Sequence, residues 1–115
     1  MMSERGFFDL TDTPTEEIYQ VIGQFIAGAI PEAWLSATAY AEIEEEDHGL
    51  TFGVYVPAVA PDSIRDFAAG AELYLAFDEL RRRLRKPGQV PWVKAQFTVQ
   101  RDGRFDLEFT YPEDA

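Results

Sequence analysis

Apolar residues recur along the chain in two rhythms, and the change from one to the other marks out the elements. Ile18, Ile22, Phe25, Ile26 and Ala29 fall at helical spacing and make one stripe, which predicts a first helix. Thr13 stands where its hydroxyl can accept from the backbone three residues on, with Glu16 placed to reach back. Pro14 falls at the first helical position, so a capping box is expected. Pro31 ends the helix by pushing Ile30 towards extended geometry.

Period-two alternation follows. Ala37, Ala39, Ala41 and Ile43 alternate with Thr38, Tyr40, Glu42 and Glu44. Beyond a turn, Leu50, Phe52, Val54 and Val56 alternate with Thr51, Gly53 and Tyr55. Residues opposite one another in an antiparallel pair share a face. Setting Ile43 on the face of Leu50, Phe52 and Val54 requires a loop with an even number of residues. His48-Gly49 or Glu46 to Gly49 would serve, and each places Gly49 where φ > 0 is expected. Pro57 to Asp66 holds two prolines and reads as a loop. A second helix is expected from about Phe67 to Arg85. Leu73, Phe77, Leu80 and Leu84 lie in a narrow arc flanked by Tyr74, and Ile64 is left outside. Arg81 to Lys86 crowd its C-terminal turns, where the helix dipole favours cations, and Pro87-Gly88 closes it.

In the last third, Val93, Ala95, Phe97 and Val99 alternate with Lys94, Gln96 and Thr98. Phe105, Leu107, Phe109 and Tyr111 alternate with Asp106, Glu108 and Thr110. A two-residue Asp102-Gly103 loop would put Val99 opposite Asp106, on the wrong face. The loop Arg101-Asp102-Gly103 puts Val99 opposite Phe105 and Phe97 opposite Leu107, with Gly103 in the left-handed conformation. The expected fold is α+β in the order α-β-β-α-β-β, a four-stranded antiparallel sheet with both helices packed on one face. The opposite face would show Tyr40, Glu42, Glu44, Tyr55, Lys94, Gln96, Thr98, Asp106 and Glu108. One domain over residues 1–115 is expected, with 1–12 a loose lead-in whose Phe7, Phe8 and Leu10 could dock on the core.

Charge narrows the function. Asp and Glu number 21 against 10 Lys and Arg, and the net charge of −11 opposes direct contact with nucleic acid and favours a basic protein partner. Glu42, Glu44, Glu45, Glu46 and Asp47 crowd five carboxylates into six residues at a strand end. Such a cluster repels itself unless it is solvated or meets a cation. Absence of cysteine removes disulfides and thiolate chemistry and is compatible with a reducing compartment. Met1 to Leu10 carries Glu4 and Asp9 and has no long apolar core, so neither a signal peptide nor a membrane span is expected, and a cytoplasmic protein is.

Catalytic constellations lack their parts. His48 is the only histidine, and no serine sits in a nucleophile elbow. Glu46-Asp47-His48 offers metal-ligand chemistry, but successive strand side chains diverge and no second histidine completes a set, so His48 is expected to be a turn residue and no metal or cofactor is expected. Acid pairs for glycoside hydrolysis sit on solvated positions rather than in an apolar pocket. Gly23 and Gly28 lie within the first helix, away from any phosphate loop. Trp34 and Trp92 follow prolines at strand entrances, as core lids or interface anchors.

A set of segments in this order and spacing resembles the YezG-like immunity proteins. They are Pro31-Glu32-Ala33-Trp34, Tyr40-Ala41-Glu42-Ile43-Glu44-Glu45-Glu46, Phe77-Asp78-Glu79-Leu80-Arg81, Pro91-Trp92, and Asp102-Gly103-Arg104-Phe105 with Phe109 and Tyr111. The resemblance covers residues 15 to 112 apart from Ala58 to Ala71. It implies a non-enzymatic antitoxin that binds the C-terminal domain of a secreted polymorphic toxin, commonly a nuclease, and it brings no catalytic residues. The physics of the chain points to Tyr40, Glu42, Glu44, Glu45, Glu46, Asp47 and Tyr55 as the partner-binding set. A protein-interaction or self-associating structural domain is the alternative, and an enzyme comes third.

Overall fold

A computed structural model of the chain describes residues 12–45, 48–84, 88 and 91–112, with the backbone alone at Glu44, Glu45 and His48. The elements run α1 (Thr15–Ala29), β1 (Trp34–Glu45), β2 (His48–Pro57), β3 (Arg65–Phe67), α2 (Gly70–Arg83), β4 (Lys94–Gln100) and β5 (Phe105–Thr110). The strands form one antiparallel sheet in the order β3-β2-β1-β4-β5. The fold is therefore α+β with helices on one face, as expected, but the sheet has five strands rather than four. Arg65-Asp66-Phe67, expected to be loop and helix start, pairs with Gly53 to Tyr55 as an edge strand.

The buried stripe Ile18, Ile22 and Ile26 of α1 and Leu73, Ala76, Phe77 and Leu80 of α2 meet the sheet at Ala37, Ala39, Ala41, Ile43, Phe97 and Val99. Three alanines on the central strand keep its inner surface low, which lets the two helices lie close above it. Pro14, at ψ 147°, stays extended and becomes the N-cap, so α1 starts at Thr15 and the expected box between Thr13 and Glu16 is out of step by one residue. The Pro14 carbonyl accepts from Glu17 and Ile18 N–H instead. Ile30, at φ −95° and ψ 121°, ends the helix before Pro31.

Helix α2 is shorter than expected because Phe67 belongs to β3. Its basic residues are not one solvated group. Arg82 pairs with Asp78 at 2.6 Å and Glu79 at 2.9 Å, and Arg83 with Glu79 at 2.8 Å. Arg81 turns inward, and its Nε donates to the Trp92 carbonyl at 2.7 Å. Trp92 is buried and stacks on Phe109, with ring centroids 5.2 Å apart. Arg85, Lys86 and Pro87 lie outside the described residues, as do residues 1–11 and the contacts expected of Phe7, Phe8 and Leu10.

The second hairpin follows the parity argument. Val99 stands opposite Phe105 and Phe97 opposite Leu107. Gly103 adopts φ 98°, and the turn is closed by Gly103 N–H to Gln100 O and Gln100 N–H to Arg104 O. The first hairpin departs from the expectation. Ile43 faces Gly49, Tyr40 faces Phe52 and Ala37 faces Tyr55, and an irregularity between Ile43 and Glu45 shifts the register. That shift turns β2 over. Gly53 and Tyr55 point to the helices, while Leu50 and Phe52 are exposed on the opposite face. Gly49 is paired within the strand and is not among the glycines at positive φ. His48 opens β2 rather than sitting in a turn.

Candidate interaction surface

The helix-free face of the sheet is built in rows. Register places Asp66, Val54, Thr38, Thr98 and Asp106 side by side across the five strands. The next row is Phe52, Tyr40, Gln96 and Glu108, and the one after it Leu50, Glu42, Lys94 and Thr110. Apolar residues therefore gather on β2 and at Tyr40, with Asp66 at one edge, Glu42 on the central strand and Asp106 and Glu108 at the other edge. Tyr40 and Phe52 stack with centroids 4.9 Å apart and planes 17° from parallel. Phe52 is 43% exposed and Leu50 51%, so the stack is a surface feature and not part of the core. Thr38 and Thr98 hydroxyls hydrogen-bond at 3.1 Å beside it. A shallow depression of about 330 Å³ is bounded by Tyr40, Phe52, Lys94, Gln96 and Glu108.

Of the residues expected to bind a partner, Tyr40 and Glu42 lie on this face. Glu44 and Glu45 are the last two residues of β1, and their side chains lie outside what is described, as do residues Glu46 and Asp47. Tyr55 does not belong to the set. It is 4% exposed on the helix side, and its hydroxyl donates to Glu32. Arg65 Nη1 donates to the same carboxylate oxygen at 2.6 Å. The Tyr55 hydrogen bond first, and the Arg65 guanidinium second, hold the Glu32 carboxyl below its ordinary range. Glu32 in turn pushes the Tyr55 hydroxyl up. This trio ties the chain after α1 to the edge strand β3.

Leu50 and Phe52, with Val54 and Val56, lie on the face opposite the one the alternation of the sequence implies. Their signal was Gly53. The Phe67 ring lies so close to it that a Cβ built there would come within 2.1 Å of Phe67 Cζ. A glycine required by a ring must point to the core, so its neighbour Phe52 must point away from it.

Among the described residues no three His, Asp or Glu side chains gather to hold a metal, and no helix is long and apolar enough to cross a membrane. The surface offers exposed aromatic and aliphatic area beside carboxylates, which is the chemistry of recognition.

A two-helix, five-stranded α+β module whose second sheet face, uncovered among the described residues, carries aromatic area beside carboxylates has the makings of a protein-binding domain. Residues 15–115 match the family described as immunity protein YezG-like, and the chain belongs to that family. It is 25% identical to the immunity protein YezG of Bacillus subtilis (strain 168) over 113 residues, covering 85% of this chain and 74% of that protein. It is 26% identical to the immunity protein YezG of Bacillus spizizenii over 118 residues, covering 89% of this chain and 72% of that one.

Proposed function

We propose that this protein is a cytoplasmic antitoxin that binds the C-terminal domain of a cognate polymorphic toxin, a basic domain with nuclease activity, and blocks it by occlusion. It acts by binding and not by chemistry. The observation that carries the reading is the Tyr40–Phe52 stack, on the sheet face that no described helix covers and followed along the same strand by acids. An active site shaped for phosphate also attracts ordered carboxylates, so an acidic surface suits a nuclease partner. The binding set is Tyr40, Phe52 and Leu50 for contact area, with Glu42, Glu44, Glu45, Glu46 and Asp47 for the field.

The test is co-expression of the C-terminal domain encoded by the neighbouring toxin gene with and without this protein. Rescue of growth and a one-to-one complex are expected. Full toxicity in the presence of soluble, folded protein would overturn the reading for that pair. Kinetics then locate the surface. Reversing charge at Glu45, Glu46 and Asp47 should slow association and flatten its salt dependence, while Phe52→Ala should speed dissociation. Normal kinetics in both variants would move the interface off this face.

A further inference from the structure

We propose that the outer edge of β5 is a second docking site, which takes an extended segment of another protein whose side chains alternate between apolar and basic. This edge adjoins the face discussed above, and the inference does not depend on a toxin being the partner.

Among the described residues β5 pairs with β4 alone. Gln100 N–H bonds the Arg104 carbonyl, so the antiparallel alternation directs the backbone of Asp106 and Glu108 to β4. The N–H and C=O groups of Phe105, Leu107 and Phe109 then point away from the sheet. Six residues long, β5 contains no proline and no register shift. The opposite edge, β3, is three residues long and begins with Arg65-Asp66. Short length and charge are ordinary ways to blunt an edge, and β5 has only the charge, on one face.

Side chains make the edge selective. On the inner side Phe105 is 44% exposed and Leu107 and Phe109 are only partly covered. Phe105 leans on Phe97, with centroids 5.0 Å apart, and on Tyr19 at 5.7 Å. Between α1 and the hairpin runs an open groove of about 500 Å³ lined by Tyr19, Gly23, Ala27, Trp34 and Phe105, with Arg101 at the hairpin end. A strand added at the usual spacing of about 4.8 Å would set every second side chain on the inner side, beside Phe105, Leu107 and Phe109, with the groove at the Phe105 end. The intervening ones would stand beside Asp106 and Glu108, which are exposed and form no ion pair among the described residues. Apolar residues suit the first set and Lys or Arg the second. A second copy of the chain does not fit. In a β5–β5 pair centred on Leu107, Asp106 of one strand would face Glu108 of the other, in molecules that each carry a net charge of −11.

The test is nuclear magnetic resonance on the whole isotope-labelled chain, titrated with a short peptide alternating lysine and valine, and separately with its glutamate–valine counterpart. The lysine peptide should shift the amides of Phe105, Leu107 and Phe109 and slow their hydrogen exchange, leaving the Asp106 and Glu108 amides protected as before. Leu107→Pro removes an outward N–H without touching the β4 ladder, and should weaken binding about tenfold or more. Asp106→Lys with Glu108→Lys serves as a second variant, independent of any effect of proline on folding, and should exchange preference to the glutamate peptide. No response at the three amides, or an equal response to both peptides, would overturn the proposal. So would protection of these amides without peptide that grows with protein concentration, because it would put a second copy on the edge.

Discussion

Gly53→Ala adds one methyl group where the Phe67 ring already lies. The new Cβ would stand 2.1, 2.2 and 2.6 Å from three ring carbons. Carbon atoms at rest keep about 3.5 Å or more, so the ring must retreat by roughly 1.5 Å. Phe67 is 7% exposed and anchored by the pairing of β3 with β2, which leaves two outcomes. A ring held in place strains its surroundings, at a cost of about 1–3 kcal/mol. A ring that swings out forfeits its burial, at about 1.5–3 kcal/mol. Against either stands a gain of about 0.5–1 kcal/mol from replacing glycine inside a strand. The net expectation is a loss of about 1–2 kcal/mol, seen as a lower urea midpoint with unchanged slope. In a Phe67→Ala background the same change should be neutral or stabilising, so the double-mutant cycle isolates the contact. Full stability of Gly53→Ala beside an intact Phe67 would refute the packing.

Gly103→Val should destabilise the fold by about 1 kcal/mol or more, because φ 98° is strained for a branched side chain, and a melting curve would show it. Glu32 titrates below its ordinary 4.5 in the folded state, held first by Tyr55 and then by Arg65. Its contribution is thus complete above that value and is lost as the pH falls through the lowered folded pKa; acid unfolding of Glu32→Gln should be less steep in that window, and identical profiles would count against the trio. The same substitution should let the Tyr55 phenol, raised chiefly by Glu32, ionise at lower pH in an ultraviolet titration. Phe52→Ala should change stability little, since the ring is 43% exposed, so a weaker complex in that variant would report the interface and not the fold.

Much of the scaffold was legible in the pattern of residues. The stripe of α1, the core alanines of β1 and the turn at Gly103 all follow from period and parity, because in each a single constraint decides. The face of β2 was not legible, since counting apolar residues favoured Leu50, Phe52, Val54 and Val56 over Thr51, Gly53 and Tyr55. The structure reverses the count for two reasons. The irregularity after Ile43 changes the parity of the loop, and the space above Gly53 is filled by Phe67 from a strand distant in sequence. β3 is not legible in the sequence because three residues, two of them charged, carry no period. The capping box failed by one position, since proline tolerates both the first helical place and the cap itself. In the candidate surface, Tyr40 and Glu42 were readable from the alternation of β1, whereas Phe52 and Leu50 required knowing what covers the other side.

The alanines of β1 have a consequence for how such a protein can change over generations. Each odd-numbered residue from Ala37 to Ile43 is committed to the helices, and each even-numbered neighbour from Thr38 to Glu42 lies on the opposite face. Substitutions at Tyr40, Glu42, Phe52 or Gln96 leave those helix contacts unaltered, and surface changes of that kind usually move stability by no more than about 0.5 kcal/mol. On the proposed reading, partner preference and folding are therefore inherited on opposite sides of one sheet. A binder with that division could rewrite the first side to follow a changing partner while copying the second unchanged.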